Sequence, residues 1–343
     1  MNNQKIKCVV WDLDNTLWDG VLLEDEEVKP KSNIISIIKE LDNRGILQSV
    51  SSKNEYEIAR QKLIDLDLWE YFIYPQINWN SKSDGIREIA KNINIGTDTL
   101  AFIDDQPFER EEVNFSLPEV LSIDPVAADE ILKMNRMMPN FITDDSKKRR
   151  QMYQNDIKRN GMEKQFTGTK EEFLRSLGMV FKISRAKEED LQRAEELTIR
   201  THQLNSTGYQ YSYDELKGFI ESDDYEVLVT QLDDKYGEYG KIGLALLKKD
   251  KQVWDLKLLL MSCRVMAKGI GNVMMNYIFN MAKTEGAVLR AQFIPTDRNR
   301  IMYITYKFNG FKEIGNNGNV TILEADMSHD RLLPDYVTVL EEG

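Results

Sequence analysis

Two aspartates, Asp12 and Asp14, stand directly after the apolar run Cys8-Val9-Val10-Trp11. A short, wholly apolar run reads as a strand buried on both faces, the usual state in a parallel sheet. Carboxylates at the C-terminal edge of such a strand lie where open α/β sheets bind their ligands. In an extended chain, residues two apart point the same way. One carboxylate can then attack while the second carries a proton, provided a cation holds the pair. Three further signals follow at later strand ends. Ser51-Ser52-Lys53-Asn54 offers hydroxyl, ammonium and backbone donors to an anion, with Ser52 and Lys53 as candidate phosphate ligands and Ser51 as the alternative one residue of register away. Lys82 opens a predicted helix, where its ammonium and the helix N-terminus both favour phosphate. Asp104-Asp105 follows the apolar run Leu100–Ile103.

Together these residues suit phosphoryl transfer through an aspartyl-phosphate. Asp12 would attack phosphorus in line. Asp14 would protonate the leaving oxygen and then deprotonate the water that hydrolyses the intermediate. A carboxylate meeting an anionic phosphate needs its charge neutralised. Mg²⁺ does this, held by Asp12, Asp104 and an oxygen of Asp14, by preference its backbone carbonyl, with Asp105 orienting a water. Ser52 and Lys82 would grip the oxygens of the transferring group. A lone Asp-x-Asp is usually a solvated loop, and a Lys opening a helix usually has no function. Four such features in order, each at a strand end of one sheet, form a site.

The elements that must position them alternate between strand and helix from Lys5 to about Pro125. The pattern predicts strands over Lys7–Trp11, Ile46–Ser51, Tyr71–Pro75, Leu100–Ile103 and Val120–Ile123. It predicts helices over Ser32–Arg44, Glu55–Leu66, Lys82–Asn92 and Phe108–Phe115. Such alternation means right-handed βαβ units on a doubly wound parallel sheet. Gly45 should close the first helix and Asn54 should cap the second. Residues 128–177 are Met-rich and then heavily charged, with Lys147-Lys148-Arg149-Arg150 running on to Arg159; they read as a helical connector, the basic run being a solvated face or a landing site for an acidic partner. From Gly178 the strands come in adjacent runs before a long helix, which predicts an α+β domain over 178–343. The division is therefore 1–127, 128–177 and 178–343.

A chain of 343 residues suits two domains of roughly 100–200 residues each. Its net charge of −12 is uneven: residues 1–145 hold 28 acidic against 15 basic side chains, the remainder 29 against 30. An acidic chain with no large basic field is a poor nucleic-acid binder. No apolar run approaches the roughly 20 residues of a membrane helix, and the polar start MNNQKIK reads as no secretory signal. Two cysteines, Cys8 and Cys263, are too few for a disulfide framework, so a reducing cytoplasm is expected.

In the second domain, Ser262-Cys263-Arg264-Val265-Met266-Ala267-Lys268-Gly269-Ile270-Gly271 joins a strand to a long helix. Glycines at such a junction let backbone N–H groups approach a phosphate. Arg264, Lys268, Gly269 and Gly271 are therefore candidates to hold the phosphate of a ligand arm. Cys263, between Arg264 and Lys268 near a helix N-terminus, would be favoured as a thiolate and so as an acyl acceptor; a buried structural thiol is the plain alternative. His202, one of two histidines, is a candidate base or orienting partner for that thiol.

Asp12-Leu13-Asp14-Asn15-Thr16, Ser52, Lys82 and Asp104-Asp105 resemble the four motifs of the haloacid dehalogenase superfamily in its phosphatase form. The 35 residues between Thr16 and Ser52 and the 29 between Ser52 and Lys82 leave no room for a cap domain. The Ser262–Gly271 loop, followed by Pro295-Thr296-Asp297-Arg298-Asn299 and Tyr306-Lys307-Phe308-Asn309-Gly310-Phe311, resembles the GNAT-like N-acetyltransferase fold, with Met266 where that loop usually carries Gln or Arg. The two halves in this order, with Asp12–Gly20, Phe102–Arg110 and Ser262–Val265, are similar to the FkbH-like family over nearly the whole chain. That resemblance implies a glyceryl transferase and phosphatase. Such an enzyme takes the acyl phosphate of 1,3-bisphosphoglycerate, holds the phosphorylated glyceryl group as a thioester, removes its remaining phosphate and delivers glycerate to an acyl carrier protein. His202 stands where the family usually carries Asn. The alternative expectation is a plain Mg²⁺-dependent phosphomonoesterase whose second domain is a lid or a carrier-docking module.

Overall fold

The computed structural model describes residues 4–342. The chain forms two compact units, Met1–Gln154 and Asn155–Gly343. Among the described residues no helix is long and apolar enough to cross a membrane.

The first unit is built on five parallel strands, β1 (Cys8–Trp11), β2 (Leu47–Ser52), β3 (Gln76–Ile77), β4 (Leu100–Ile103) and β5 (Leu121–Ile123), in the order β3-β2-β1-β4-β5. Every residue of β1, β2 and β4 is buried, which is why these runs carry no polar–apolar alternation. Helices α1 (Ser32–Asn43), α2 (Tyr56–Asp65), α3 (Lys82–Ile93) and α4 (Pro107–Ser116) connect them. The succession runs outward from β1 to β2 and β3, then returns to β4 and β5 on the other side. The reversal occurs at β1, and the crevice beyond the carboxyl end of such a strand is where doubly wound sheets bind ligands. Asp12 occupies that point. The layout is the α/β class read from the sequence.

Three local expectations change. The third strand is not Tyr71–Pro75. Pairing touches down once, Phe72 opposite Gln48, breaks where Tyr74 takes the left-handed φ of 49°, and resumes at Gln76 opposite Ser51. Asn54 does not cap α2; Glu55 takes that position, and the Asn54 side chain reaches elsewhere. The basic run is a solvated face only in part: Lys147 and Lys148 are exposed, but Arg149 is buried and donates to the Gly45 carbonyl at 2.7 Å, and Arg150 pairs with Asp42 at 3.0 Å. Gly45 does close α1, at φ 72°.

The second unit carries one mixed eight-stranded sheet. Its strands are β6 (Met179–Arg185), β7 (Tyr225–Asp234), β8 (Gly237–Lys249), β9 (Val253–Met261), β10 (Val288–Phe293), β11 (Phe311–Asn317), β12 (Val320–Ala325) and β13 (Val337–Glu342), in the order β11-β12-β10-β9-β8-β7-β6-β13. Alternation at period two sorts the side chains to two faces. Ala245, Leu247, Leu259 and Met261 pack on the long helix α7 (Ile270–Thr284), whereas Leu244, Leu246, Leu258 and Leu260 pack with α5 (Leu191–Arg200) and α6 (Tyr213–Ile220). Helix α8 (Arg300–Phe308) precedes β11. The edge strands β11 and β13 escaped the sequence reading because nearly all their side chains are exposed. Arg159, 1% exposed, is held by Asp156 and Asp234 and lies 3.8 Å from the Tyr239 ring centre.

Strands β9 and β10 run parallel only over Val253–Leu256 and Val288–Ala291. Beyond this point a short piece of chain lies between them. Ser206 donates its N–H to Leu259 O at 3.0 Å, Met261 donates to Leu204 O at 2.9 Å, and Ile294 donates to Ser206 O at 3.0 Å. Asn205 is bridged antiparallel to Leu260. The segment Leu204–Ser206 thus stands as an inserted strand of one bridged residue, Asn205.

Candidate active site

Asp12 takes its place from β1: its backbone N–H donates to Ile103 O of the neighbouring strand at 2.9 Å. Lys82, the first residue of α3, is 3% exposed. Its ammonium donates to an Asp12 carboxylate oxygen and to Ser51 O at 2.9 Å, and lies 3.1 Å from Asp104 Oδ2. Burial alone would lower the Lys82 pKa, but the Asp12 and Asp104 charges outweigh it and the ammonium is held above its ordinary range. Burial raises Asp12, against the pull of Lys82. Burial and then the Asp12 charge raise Asp104, and burial and then Asp104 raise Asp105.

One carboxylate oxygen from each of Asp12, Asp104 and Asp105 lies within 4.8 Å of the other two. Three like charges this close oppose one another. Asp104 Oδ2 is buried with the ammonium near it but no aligned hydrogen bond. An all-oxygen donor set with one buried oxygen left in want of a donor fits a hard divalent cation. The other Asp104 oxygen accepts from Gln106 N at 2.8 Å, and Arg110 donates to Asp104 O at 2.6 Å while pairing with Asp124 at 2.7 Å. Thr16 Oγ1 accepts from Asp105 N at 3.1 Å. These contacts fix the loop that carries the two acids.

Asp14 does not join this cluster. β1 ends at Trp11 and the chain turns, with Leu17 N donating to Leu13 O at 2.8 Å and Asn15 at φ 55°, so strand alternation does not carry Asp14 alongside Asp12. Its carboxylate accepts from Trp18 Nε1 at 2.8 Å, Leu22 N at 3.0 Å and Asn54 Nδ2 at 3.0 Å. The Ser52 hydroxyl faces Asp12, whereas Ser51 Oγ lies against Gly85, only 2.6 Å from where a Cβ there would sit. Lys53 is paired with the buried Glu109 at 2.7 Å.

In the second unit Cys263 begins the 3₁₀ turn Cys263–Lys268 that leads from β9 to α7, and is partly exposed. Arg264 Nε donates to Ser262 Oγ at 3.4 Å, and Lys268 Nζ donates to Arg264 O at 3.1 Å. Burial lowers the Lys268 ammonium, with Asp156 and Asp234 opposing and Arg159 adding to it. Gly269, at φ 74°, caps α7, and a Cβ there would overlap the Tyr336 hydroxyl. Gly271 lies in the first turn of α7, where N–H groups lack intrahelical partners. His202 follows α5, two residues before Leu204, and Cys263 follows Met261 by two. The Met261–Leu204 bond therefore ties together the two stretches that carry them.

No family model and no curated protein matches the sequence. Among solved structures, the chain is similar to the N-terminal part of the protein BF1531 from Bacteroides fragilis, which contains a phosphatase domain complexed with Mg. Identity is 32%, covering 40% of this chain and 41% of that one, with a TM-score of 0.35. It is also similar to the PaiA N-acetyltransferase from Thermoplasma acidophilum in complex with coenzyme A, at 19% identity over 42% of this chain and 98% of that one, TM-score 0.34. A third is the ribosomal-protein-S18-alanine N-acetyltransferase from Escherichia coli, at 15% identity over 45% and 99%, TM-score 0.35.

Sequence reasoning passed over Thr16, Trp18, Asn54 and Arg110 as site residues. Thr16 belongs to the quoted first motif, Trp18 to the quoted segment Asp12–Gly20 and Asn54 to the segment after β2, so their positions were marked. Their partners were not: the Thr16–Asp105 and Asn54–Asp14 bonds cross from one strand end to another, and the Trp18–Asp14 and Arg110–Asp104 bonds close within turns whose course residue type does not fix.

Proposed function

We propose that this chain is a glyceryl transferase and phosphatase of the FkbH-like kind. The observation that carries the phosphatase half is the buried Lys82 ammonium set among Asp12, Asp104 and Ser51 at the reversal point of the sheet. Asp12 attacks phosphorus while the bond to the substrate alcohol oxygen breaks, and Asp14 delivers the proton that oxygen needs. Asp14 then takes a proton from water as the water oxygen attacks phosphorus, the bond to Asp12 breaks, and inorganic phosphate leaves. Asp12, Asp104 and the Asp14 backbone carbonyl would hold Mg²⁺, with Asp105 orienting a water, and the ion would supply charge neutralisation where two anions meet. Lys82 and Ser52 hold the phosphoryl oxygens.

The second unit carries the acyl half of the proposal. The Cys263 thiolate attacks the acyl carbon of an acyl phosphate such as 1,3-bisphosphoglycerate, and the carbon–oxygen bond to phosphate breaks. The phosphorylated glyceryl thioester is dephosphorylated at Asp12. The phosphopantetheine thiol of an acyl carrier protein then attacks the thioester carbonyl, and Cys263 leaves. Thiol–thioester exchange conserves bonds and needs only a proton carrier, the role given to His202. Support comes from the Met261–Leu204 bond, which draws the His202 and Cys263 stretches together. Arg264, Lys268, Gly269 and Gly271 border the proposed arm-binding loop, and the two free thiols suit the cytoplasm.

Intact-protein mass spectrometry after incubation with 1,3-bisphosphoglycerate tests both halves. Asp12→Asn should accumulate a phosphorylated glyceryl-enzyme, wild type a dephosphorylated one, and Cys263→Ala neither. Acylated Cys263→Ala protein would sink the acyl half. Phosphate release from monoesters without any acyl-enzyme would leave a plain phosphomonoesterase.

A further inference from the structure

The Asp14 carboxylate, on the turn after β1, is gripped by two side chains. Trp18, fully buried, gives its indole N–H to Oδ1, and Asn54, 1% exposed, gives its amide N–H to Oδ2. The Asn54 amide is locked in direction, because its Oδ1 accepts from Glu55 N at 3.0 Å; only the NH₂ end can face Asp14. A helix-capping Asn would use its oxygen on the N–H two or three residues on, and this one does not. The cage draws on three stretches of chain: the turn after β1, Leu22, and the end of β2. Asp12 needs no such cage, since β1 holds its backbone.

We propose that Asn54, seconded by Trp18, is a positioning residue for Asp14, fixing the carboxylate that delivers and recovers the proton. This inference rests on the phosphatase reading. A proton carrier must be aimed before its charge state matters. An acid on a turn, outside any strand, has several rotamers open to it, and two buried donors at fixed places select one.

A merely structural Asn54 and a positioning one differ in how the loss depends on the leaving group. A nitrophenolate leaves without a proton; an alkoxide does not. The parameter kcat/KM ends at the first irreversible step, phosphoryl transfer to Asp12. Wild type, Asn54→Ala and Trp18→Phe are assayed with Mg²⁺ on 4-nitrophenyl phosphate and on a glycerol phosphate. General acid–base groups contribute about 10²–10⁴-fold, so Asn54→Ala should lower kcat/KM on the alkyl ester by about tenfold or more, and on the aryl ester by less than about threefold. Trp18→Phe keeps the ring, loses the N–H and should show the same split, smaller. In an Asp14→Asn background Asn54→Ala should cost nothing further, since coupled groups are not additive. Equal losses on both esters, no loss on either, or full additivity would overturn the proposal. Wild-type protein inactive on both esters would instead fail the phosphatase reading itself.

Discussion

Lys82 keeps its charge where almost no water reaches it, because two carboxylates stand within reach. Removing one partner of a buried ion pair costs about 3–5 kcal/mol, most of it from the charge left behind. Lys82→Met should therefore destabilise the cation-free protein by about that much, and by less once Mg²⁺ takes over the neutralisation. Urea unfolding with and without MgCl₂ checks this; an equal loss in both would contradict it. The same crowding sets a pH dependence. A cation binds the ionised carboxylates; burial raises Asp12, and burial followed by the charge of a neighbouring carboxylate raises Asp104 and Asp105. Protons then compete at a higher pH than they would for ordinary aspartates. Mg²⁺ affinity should fall as pH drops from neutrality, before the usual carboxylate range is reached, as titration calorimetry at several pH values would show. The two thiols divide as cleanly. Cys8 is fully buried and its thiol is pushed up by burial, whereas Cys263 is partly exposed. Native protein should take up one alkylating group, on Cys263, and peptide mapping that finds Cys8 modified would refute this.

At the scale of elements, the inserted strand Leu204–Ser206 depends on Asn205. Its side-chain oxygen accepts from Thr207 N at 3.1 Å and Gly208 N at 2.8 Å, and Asn299 Nδ2 donates to its backbone carbonyl at 3.0 Å. Asn205→Ala strands the buried Thr207 N–H, at about 1–3 kcal/mol, and releases the Gly208 N–H to water. The variant should melt earlier and form the glyceryl thioester more slowly, with phosphate-ester hydrolysis unchanged; a parallel fall in hydrolysis would contradict the assignment. This element was not legible in the sequence. Leu204-Asn205-Ser206 is too short and too polar to read as a strand, and the gap it fills opens only when β9 and β10 part. The Asp12 and Asp104-Asp105 motifs were legible because β1 and β4 leave unbroken apolar runs with the acids just beyond them, whereas Ser52 and Lys82, after the polar β2 and the two-residue β3, were legible from residue type and order along the chain. The Tyr71–Pro75 strand misled for the same reason: an apolar run is visible, but the left-handed Tyr74 that interrupts it is not.

Each unit has its own apolar core, and the proposed cation ligands Asp12, Asp104 and Asp105 all lie in the first. In scanning calorimetry Mg²⁺ should raise the melting of the first unit while leaving the second within about 1 °C, since a ligand stabilises only the fold it binds. A uniform shift of the whole endotherm would count against this. Alternation of strand and helix, then adjacent strands before a long helix, was enough to read the class of both sheets from the sequence, though not the exposed edge strands β11 and β13. The pairing of Arg149 and Arg150 with Gly45 and Asp42 was not, because a basic run looks the same whether its partners are water or a distant carboxylate.

The inserted strand also limits how β9 can recognise anything. Along its C-terminal half, the Leu259 N–H is taken by Ser206 Oγ, the Leu259 carbonyl by Ser206 N–H, and the Met261 N–H by Leu204 O. A flexible arm bearing amides cannot lie along this stretch as an extra strand, because the protein has placed its own chain there. Under the proposed acyl transfer, selectivity at Cys263 would then reside in side chains around the thiol, and a swap of those side chains should change the accepted arm without touching the sheet.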